Sequence, residues 1–399
     1  MKARGVHLQY RFETDGQRGA TLHNPLFDLL TAVHEHGSIQ HAAKMLGASY
    51  RHIWGQLKHW ETVMGEPLVT WAQGQPARLT PFADRLLWAE TRARTRLTPH
   101  IEALRAELER VLAEALDGSQ HVLTLFASHD LALPQLQALA RSAHGLHIAL
   151  RFAGSLDALR ALAQGRCLVA GFHVPPWRSP VDAGGGRAPF ARALTPLLKP
   201  GLHKLIGCLR RTQGLMVRPG NPLGLRGLAD LAALAHPASG CAGLRFVNRQ
   251  PGSGTRLLMD HLLAEQAIDP ASVPGYFEPP EDSHLAVAAA LASGLGDVGP
   301  GIEAAAAQFG LDFIPLIAED YYLVCLKDAL DHPAVRKLRQ ALESPAWPGL
   351  LQGLPGYAPA RSGQVLSLVQ ALPWWHFRAA RPAGIGTDPS TGRQAAGTP

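Results

Sequence analysis

The chain has 399 residues, of which 46% are hydrophobic and 18% charged, and this composition predicts a soluble globular protein of two or three domains. Its net charge of +6 permits an anionic partner such as nucleic acid without requiring one. Four dispersed cysteines argue against a disulfide framework or a zinc site, and without a signal-peptide core or a membrane-length apolar run we expect a cytoplasmic protein with no membrane partner.

Residues 20–117 are predicted to form a helical domain that ends in a long charged helix. Ser38 is positioned to cap a short helix, IQHAAKML, and Ser49 to cap a second, YRHIWGQLKHWE, with a glycine at the turn between them. Apolar spacing of three and four places Ile53 and Leu57 on the buried face of the second helix. Two short helices joined in this way predict a helix-turn-helix. The segments EPLVTW and GQPARLT then predict a two-stranded wing.

The strings GSIQHAAKMLGASYRHIW, GEPLV and ARLTPFADRLL resemble the winged helix-turn-helix of LysR-type regulators and, more closely, of the molybdate-responsive ModE type. The resemblance implies that the second helix enters the major groove of a double-stranded DNA operator. It also implies that the long helix, from Pro81 to about Leu116, pairs subunits into a homodimer or higher oligomer. A helical packing module with no role on DNA is the alternative. The expected DNA contacts are Ser38, Ser49, Tyr50, Arg51, His52, Gln56, Lys58 and Arg78.

Residues 121–375 alternate short apolar runs with helical segments, beginning with the predicted strand HVLTLFA. This alternation predicts parallel sheets covered by helices. The turn-rich residues 116–120 separate this region from the first domain. Residues 379–399 are rich in Pro, Gly, Ala and Thr and lack periodicity, so we expect a disordered tail there.

Small polar residues follow several predicted strands of this region, at the points where helices begin. Ligands of open α/β sheets bind beyond the carboxyl ends of the strands. Free N–H groups at helix starts, together with hydroxyl groups, favour an anion, and the glycines of RQPGSGTRL let the backbone approach it closely. Asp130 would repel an anion, so we assign it a turn or capping role. The predicted ligand contacts are Ser128, His129, Ser155, His173, Ser253, Gly254, Thr255, Arg256 and Ser283.

The strings ASHDLAL, LVAGFH, RFVNRQPGSGTR and SHLAVAAALASGLGDVGPGIEAAA resemble the type II periplasmic-binding-protein fold, specifically the molybdate-binding-protein-like domain. The resemblance implies an α+β multidomain chain whose second domain has two α/β lobes. Crossing strands near 205–217 and 313–325 would join the lobes, which close on the ligand as a hinge. Molybdate or tungstate is then the expected effector, with no other cofactor. ModE senses molybdate through a different β-barrel domain, so the ligand is inferred from the second domain alone.

Three other interpretations stay open beside a DNA-binding regulator that senses an oxyanion. An enzyme is one, but Ser128, His129 and Asp130 are neighbours that cannot aim at one another as a triad does, and no GxSxG motif is present, so we expect no catalytic residue. A metal site formed by His129, His173 and His284 is the second, and it lacks a carboxylate or HxH spacing. The third is a LysR-like regulator that responds to a small organic acid or amino acid in the same cleft.

Overall fold

The computed structural model describes residues 24–71, 76–116, 121–175, 189–233, 244–372 and 375. The predicted tail at 379–399 and the centre of the wing at 72–75 lie outside these residues. The described α-helices are α1 (Pro25–His36), α2 (Ile39–Met45), α3 (Tyr50–Met64), α4 (Pro81–Leu116), α5 (Leu133–His144), α6 (Ser155–Ala163), α7 (Pro189–Leu194), α8 (Ala229–Ala233), α9 (Gly254–Glu265), α10 (His284–Ala292), α11 (Glu303–Gln308), α12 (Pro333–Glu343), α13 (Ala346–Gln352) and α14 (Leu368–Ala371). The described strands are β1 (Val69–Thr70), β2 (Arg78–Leu79), β3 (His121–Ala127), β4 (Leu146–Phe152), β5 (Val169–Val174), β6 (His203–Val217), β7 (Val298–Ile302), β8 (Asp312–Leu326), β9 (Tyr357–Pro359) and β10 (Val365–Leu366).

The N-terminal domain is a winged helix-turn-helix, as the sequence predicts. Asn24, Ser38 and Ser49 cap α1, α2 and α3, each accepting a hydrogen bond from a backbone N–H of the first turn. Gly47 turns the chain between α2 and α3 at a φ of +63°, a conformation that glycine adopts without steric cost. Strands β1 and β2 pair antiparallel as the wing. A buried apolar cluster shared by these elements and the start of α4 holds the domain together.

The second domain is built on one eight-stranded sheet in the order β10-β6-β8-β5-β3-β4, with β7 and β9 also paired to β6. Strand β3 is parallel to β4 and to β5, as predicted. The expectation of parallel sheets is wrong for the rest, because β8 runs antiparallel to β5 and to β6. The reason is the double crossing between two lobes, a first lobe with β3, β4, β5, α5 and α6 and a second lobe with α9, α10 and β7. Strand β6 carries the chain from the first lobe to the second, and β8 brings it back.

The two lobes share their hydrophobic cores. One buried cluster joins Leu159 and Phe172 of the first lobe to Leu258 of the second. The other joins Leu136 of the first lobe to Val287 of the second. Burial of this kind is worth roughly 25 cal/mol per Å² of apolar surface, so contact between the lobes is favoured on both faces of the sheet.

The 36-residue helix α4 connects the two domains and lies against the second one, where it contacts β4 and α10. Two ion pairs join these surfaces, Arg96 with Glu281 and Glu107 with Arg151. Pro99 lies inside α4, where it lacks the N–H that would bond to the carbonyl four residues earlier. Of the helices described, none combines the length and apolar character needed to cross a membrane.

Candidate ligand site and nucleic-acid interface

A buried polar cluster lies where β3, β4 and β5 end and where α6, α9 and α10 begin. Ser128 follows β3, and its Oγ lies 3.1 Å from Nδ1 of His173 on β5. A Cβ added to Gly254, at the start of α9, would lie 2.1 Å from Nε2 of His173. Likewise a Cβ added to Gly154 would lie 3.3 Å from the carbonyl oxygen of Gly252. The structure therefore brings the predicted turns of the two lobes into direct contact.

An arginine lies at the centre of the cluster, on one of the two crossing strands. The sequence patterns did not predict this residue as part of the site. Arg211 of β6 is fully buried; its Nε donates to Glu319 on β8 at 2.7 Å, and its Nη1 donates to Asp130 at 2.6 Å. Asp130 also accepts from the hydroxyl of Tyr357 at 3.0 Å and from the backbone N–H of Ala132 at 2.8 Å, which confirms its predicted turn role. Two carboxylates thus face one guanidinium, a buried arrangement that is costly unless every partner is satisfied.

Gln213, also on β6, ties the first turn of α9 to this centre. Its Nε2 donates to Oγ1 of Thr255 at 3.1 Å and to Oε1 of Glu319 at 2.9 Å. The hydroxyl of Tyr321 on β8 donates to the carbonyl of Ser128 at 2.9 Å. The crossing strands therefore reach residues at the carboxyl ends of the first lobe and at the helix starts of the second.

Arg249 brings a second buried positive charge to the cluster. It is 4% exposed, and its Nη2 donates to the carbonyl oxygen of Asp282 at 2.9 Å, but it forms no ion pair with any carboxylate in the described parts of the chain. Burial and the nearby charge of Arg211 lower the pKa of Arg249 to about 10. A buried cation of this kind favours a bound anion.

The structure does not bring Arg256, the arginine predicted from the sequence, into the cluster. Its Nε donates to Asp260 at 3.0 Å within α9, and its guanidinium lies 4.4 Å from the ring centroid of Tyr276. Ser253 and Ser283 cap α9 and α10 by accepting the backbone N–H groups of Arg256 and Ala286. Their hydroxyls therefore have capping roles at the edge of the cluster.

Three neutral histidines share this environment. Burial, followed by the charges of Arg249 and Arg211, lowers the pKa of His129 to about 3; the residue is partly exposed, but its Nδ1 is buried. The same causes lower the pKa values of His173 and His284 well below 6.5, and the other two rings depress that of His284 further. A neutral imidazole offers one donor and one acceptor. In the described ranges no group of three or more His, Cys, Asp or Glu side chains is arranged to hold a metal ion.

Several buried polar atoms of the cluster have no hydrogen-bond partner within the described structure. Buried polar groups are normally paired, so such a concentration indicates ligand chemistry. They include a hydrogen-bond donor on the guanidinium of Arg249 and an acceptor on the carboxylate of Glu319. The atoms are Nδ1 of His129, Oγ of Ser155, Nε2 of His173, Oε1 of Gln213, Nη1 of Arg249, Nδ1 of His284 and Oε2 of Glu319.

A second candidate surface is the exposed side of α3. Tyr50, Arg51 and His52 are exposed in its first turn, and Gln56 lies one turn later, with its Nε2 3.3 Å from Nε2 of His52. Ser38 and Ser49 cap the two helices through the N–H groups of His41 and His52. The exposed Arg78 lies on strand β2 of the wing. The arrangement leaves hydrogen-bonding side chains at the start of the helix free for base edges or phosphates.

Lys58 differs from the other predicted DNA contacts. Its Nζ donates to Glu61 at 2.7 Å and lies 4.9 Å from the ring centroid of Trp54 on α3 and 5.5 Å from that of Trp71 at the wing. Glu61 in turn accepts the N–H of Leu68, just before β1. The ammonium therefore joins the wing to α3, and its predicted contact with DNA stays a prediction.

Two family models match this chain. Residues 136–343, more than half of the chain, match the PBP superfamily domain, and residues 26–84 match the model described as bacterial regulatory helix-turn-helix protein, lysR family. The second match covers the winged helix-turn-helix, and the first covers most of the two-lobed domain.

Two bacterial proteins are similar to parts of this chain. The chain is 32% identical over 216 residues to the uncharacterized protein YvgK of Bacillus subtilis (strain 168), covering 54% of this chain and 64% of that relative. It is 35% identical over 112 residues to an uncharacterized protein in the ferredoxin 2Fe-2S gene 5′ region of Clostridium pasteurianum, covering 28% of this chain and 98% of that protein. The chain thus spans a little under two thirds of the length of the Bacillus protein.

Similar solved structures include a hydrogen-peroxide-bound OxyR mutant of Corynebacterium glutamicum, with 16% identity and a TM-score of 0.39 over 84% of this chain and 96% of that one. CbnR, a LysR family transcriptional regulator, has 18% identity and a TM-score of 0.37 over 79% of this chain and 98% of its own.

Proposed function

The chain belongs to the PBP superfamily and carries a LysR-type regulatory helix-turn-helix, and on this premise we propose that it is a DNA-binding transcriptional regulator whose second domain binds a small oxyanion. Molybdate and tungstate are the leading effectors, from the resemblance of the second domain. The observation that carries the oxyanion is Arg249, a buried guanidinium without a carboxylate partner in the described residues. The buried hydroxyl of Ser155, at the start of α6, is also unpartnered in the described structure. The starts of α6, α9 and α10 add N–H groups to this end of the sheet.

The DNA-binding half of the proposal rests on α3. Its buried face fixes the helix on the domain through Ile53 and Leu57, while Arg51 and His52 stay exposed at its start. A helix presented in this way fits the major groove, where arginine reads guanine and glutamine reads adenine. We expect Gln56 to make the second contact.

The long helix supports a dimer. Apolar residues recur along α4 at alternating spacings of four and three, the pattern of a coiled-coil seam. Three of them are between 38% and 51% exposed, more than isolated core-facing residues would be. A second copy of α4 would cover this seam and place two recognition helices on a two-fold symmetric operator. The seam consists of Leu97, Ile101, Leu104, Leu108 and Val111.

A small organic acid or amino acid is the second candidate effector. Oε2 of Glu319 and Oε1 of Gln213 are unpartnered acceptors in the described structure, and they favour a ligand that also donates hydrogen bonds. Such a ligand would place its carboxylate on Arg249 and its hydroxyl or amino group towards the two acceptors.

Titration calorimetry of the full chain with molybdate, tungstate, sulfate and phosphate tests the proposal. We expect micromolar or tighter binding of molybdate and tungstate, and a loss of at least tenfold in Arg249→Gln. Arg256→Gln is the matched control, because that guanidinium pairs with Asp260. No heat with any oxyanion would exclude this effector class, and a panel of organic acids and amino acids would then test the second candidate.

A further inference from the structure

Two unpartnered atoms of the cluster face each other across a short gap. Nε2 of His173 lies 3.7 Å from Oε2 of Glu319, and the two side chains are at most 3% exposed. This separation is too long for a hydrogen bond between them. Neither atom has another partner in the described ranges, although each side chain is anchored through its other polar atom.

The hydrogen bonds of His173 assign its tautomer. Nδ1 of the ring has two polar neighbours, Oγ of Ser128 at 3.1 Å and Nη2 of Arg211 at 3.3 Å. A hydroxyl can donate or accept, whereas a guanidinium can only donate, so we assign Nδ1 as the acceptor. Burial and the charges of Arg211 and Arg249 lower the pKa of His173 and keep the ring neutral. Its one hydrogen is therefore on Nε2, which makes this atom a donor.

Glu319 presents the opposite requirement. Its Oε1 accepts from Arg211 and Gln213 of β6, while its Oε2 points to the ring on β5. The neighbouring charges are Asp130, on the far side of Arg211, Asp320, which is paired with Arg210, and Arg249. Thr255 of α9 is neutral and is reached through Gln213. Burial raises the pKa of Glu319, whereas the charge of Arg211 lowers it, and the net direction is upward.

A donor and an acceptor this close are both satisfied by one oxygen that bears a proton. Such an oxygen accepts from Nε2 of His173 and donates to Oε2 of Glu319. Arg249 has no direct carboxylate partner among the described residues, yet the formal charges of Arg211 and Arg249 against Asp130 and Glu319 sum to zero, so a bound dianion would leave these four side chains and the ligand with two net negative charges. A proton held between ligand and carboxylate offsets one of them.

We propose that the site binds its oxyanion together with one proton, held between Oε2 of Glu319 and a ligand oxygen that also accepts from His173. This inference rests on the proposed oxyanion function. Its consequence is selectivity by basicity: the more basic the oxygens of a tetrahedral dianion, the more readily it shares the proton. Sulfate, whose oxygens are the weakest bases among phosphate, molybdate, tungstate and sulfate, should therefore bind most weakly of the four.

The test is calorimetry of the full chain with these four anions between pH 6 and 8.5, in buffers with different ionisation enthalpies. For molybdate, tungstate and sulfate, which carry no proton in this pH range, we expect uptake of one proton for each anion bound and an affinity that falls by up to tenfold for each unit of rising pH, because proton binding is linked to ligand binding. Phosphate already bears a proton in this range and should bind without the full uptake. Binding of molybdate or tungstate with no proton uptake and no dependence on pH would overturn the inference and leave the proposed function intact. Silence with all four anions would remove the proposed function itself.

Glu319→Gln gives a sharper comparison, because the amide N–H replaces the shared proton. This variant should lose proton uptake and the pH dependence and should bind sulfate at least tenfold more tightly than the unaltered chain does. Asp320→Asn is the matched control on the same strand, since its carboxylate pairs with the partly exposed Arg210. Unchanged proton uptake in a folded Glu319→Gln would overturn the role of Glu319. If that variant does not fold, proton uptake and the ranking of sulfate in the unaltered chain decide.

Discussion

Arg96 of the long helix grips Glu281 of the second domain through two hydrogen bonds, from Nε at 2.8 Å and from Nη2 at 2.6 Å. Glu281 is 5% exposed and lies directly beside the ligand site, because its backbone bonds to Asn248 and Gln250 on either side of Arg249. The helix that leaves the winged domain therefore holds the segment that positions the buried cation of the cluster. A shift of Arg249 on ligand binding can therefore reach α4 through Glu281 and Arg96.

Arg96→Gln should uncouple the ligand from DNA. The variant removes the bidentate pair with Glu281 but leaves the buried cluster intact. We therefore expect ligand affinity to change by less than about tenfold, and a tenfold change corresponds to a coupling energy of about 1.4 kcal/mol. Operator affinity should no longer respond to the ligand. Fluorescence anisotropy with operator DNA, with and without molybdate, measures both. Arg94→Gln, on the same helix and paired with Glu90 at 3.7 Å, is the control; a normal ligand response in Arg96→Gln would contradict this route.

Gly254→Ala should disable the ligand site. The added Cβ would lie 2.1 Å from Nε2 of His173, so either the ring or the start of α9 must move. Overpacking of this kind costs about 1–3 kcal/mol. We expect a lower melting temperature and at least tenfold weaker ligand binding. Gly227→Ala, where nothing lies within 4 Å of the added atom, controls for the loss of a glycine; equal effects in the two variants would show that contact with the ring is irrelevant.

Leu104→Glu should break the proposed dimer. Leu104 is 51% exposed at the centre of the apolar seam of α4, and two glutamates facing each other there would repel in a low-dielectric interface. Sedimentation should show a monomer at concentrations where the unaltered chain is dimeric, with weaker operator binding. Leu295→Glu changes a residue that is also 51% exposed but lies outside α4. A dimer that persists in Leu104→Glu would exclude this seam.

Arg51→Ala and Lys58→Met should weaken DNA binding in different ways. Loss of a phosphate or base contact at Arg51 should reduce the slope of log affinity against log salt by about 1. Lys58→Met should leave that slope unchanged, because the ammonium is already paired with Glu61. It should instead weaken the contact between the wing and α3. The fraction of Trp71 fluorescence that a soluble quencher can reach should then rise. An equal loss of slope in both variants would show that Lys58 contacts DNA.

His284→Gln should reduce the acid sensitivity of the fold. Burial, followed by the charge of Arg249, keeps the pKa of His284 in the folded chain well below its ordinary 6.5. Below pH 6.5 the unfolded chain therefore binds a proton that the folded chain excludes, and stability falls as the pH falls. The contribution is up to about 1.4 kcal/mol for each pH unit. Urea unfolding at pH 6.5, 5.8 and 5.0 should show a shallower decline in the variant, whereas the exposed His59→Gln should match the unaltered chain.

Sequence patterns predicted the residues of the cluster that follow strands, but not those in the middle of the crossing strands. Ser128, Ser155 and His173 were predicted from their places after apolar runs, because the carboxyl ends of parallel strands meet at one edge. Arg211 and Glu319 were missed because they lie in the middle of long strands, where a charged residue reads as a solvent-facing position. One signal was available: the adjacent arginines of β6 face the adjacent acids of β8, with Arg211 opposite Glu319.

The choice between two arginines was beyond the sequence. Arg249 and Arg256 lie on either side of PGSGT, and each is a reasonable neighbour of an anion. Only the packing separates them, since Asp260 and Tyr276 hold Arg256 away from the cluster while the backbone of Asp282 holds Arg249 within it. The hydrogen bond of Arg249 reaches a residue 33 positions along the chain, so local pattern contains no record of it. The pair of Arg256 with Asp260 is local, but the contact of that guanidinium with the ring of Tyr276 is not visible in the local sequence.

Pro99 and Arg96 together bear on how such a chain is divided for engineering. A chimera that joins a foreign DNA-binding domain to this second domain has an obvious junction at Pro99, where α4 lacks a hydrogen bond. That junction would discard Arg96, which lies three residues before the proline yet contacts Glu281. A biosensor joined at Pro99 would still bind its ligand, but ligand binding would no longer change its affinity for DNA. The functional boundary of the sensing module therefore lies on the DNA-binding side of Arg96.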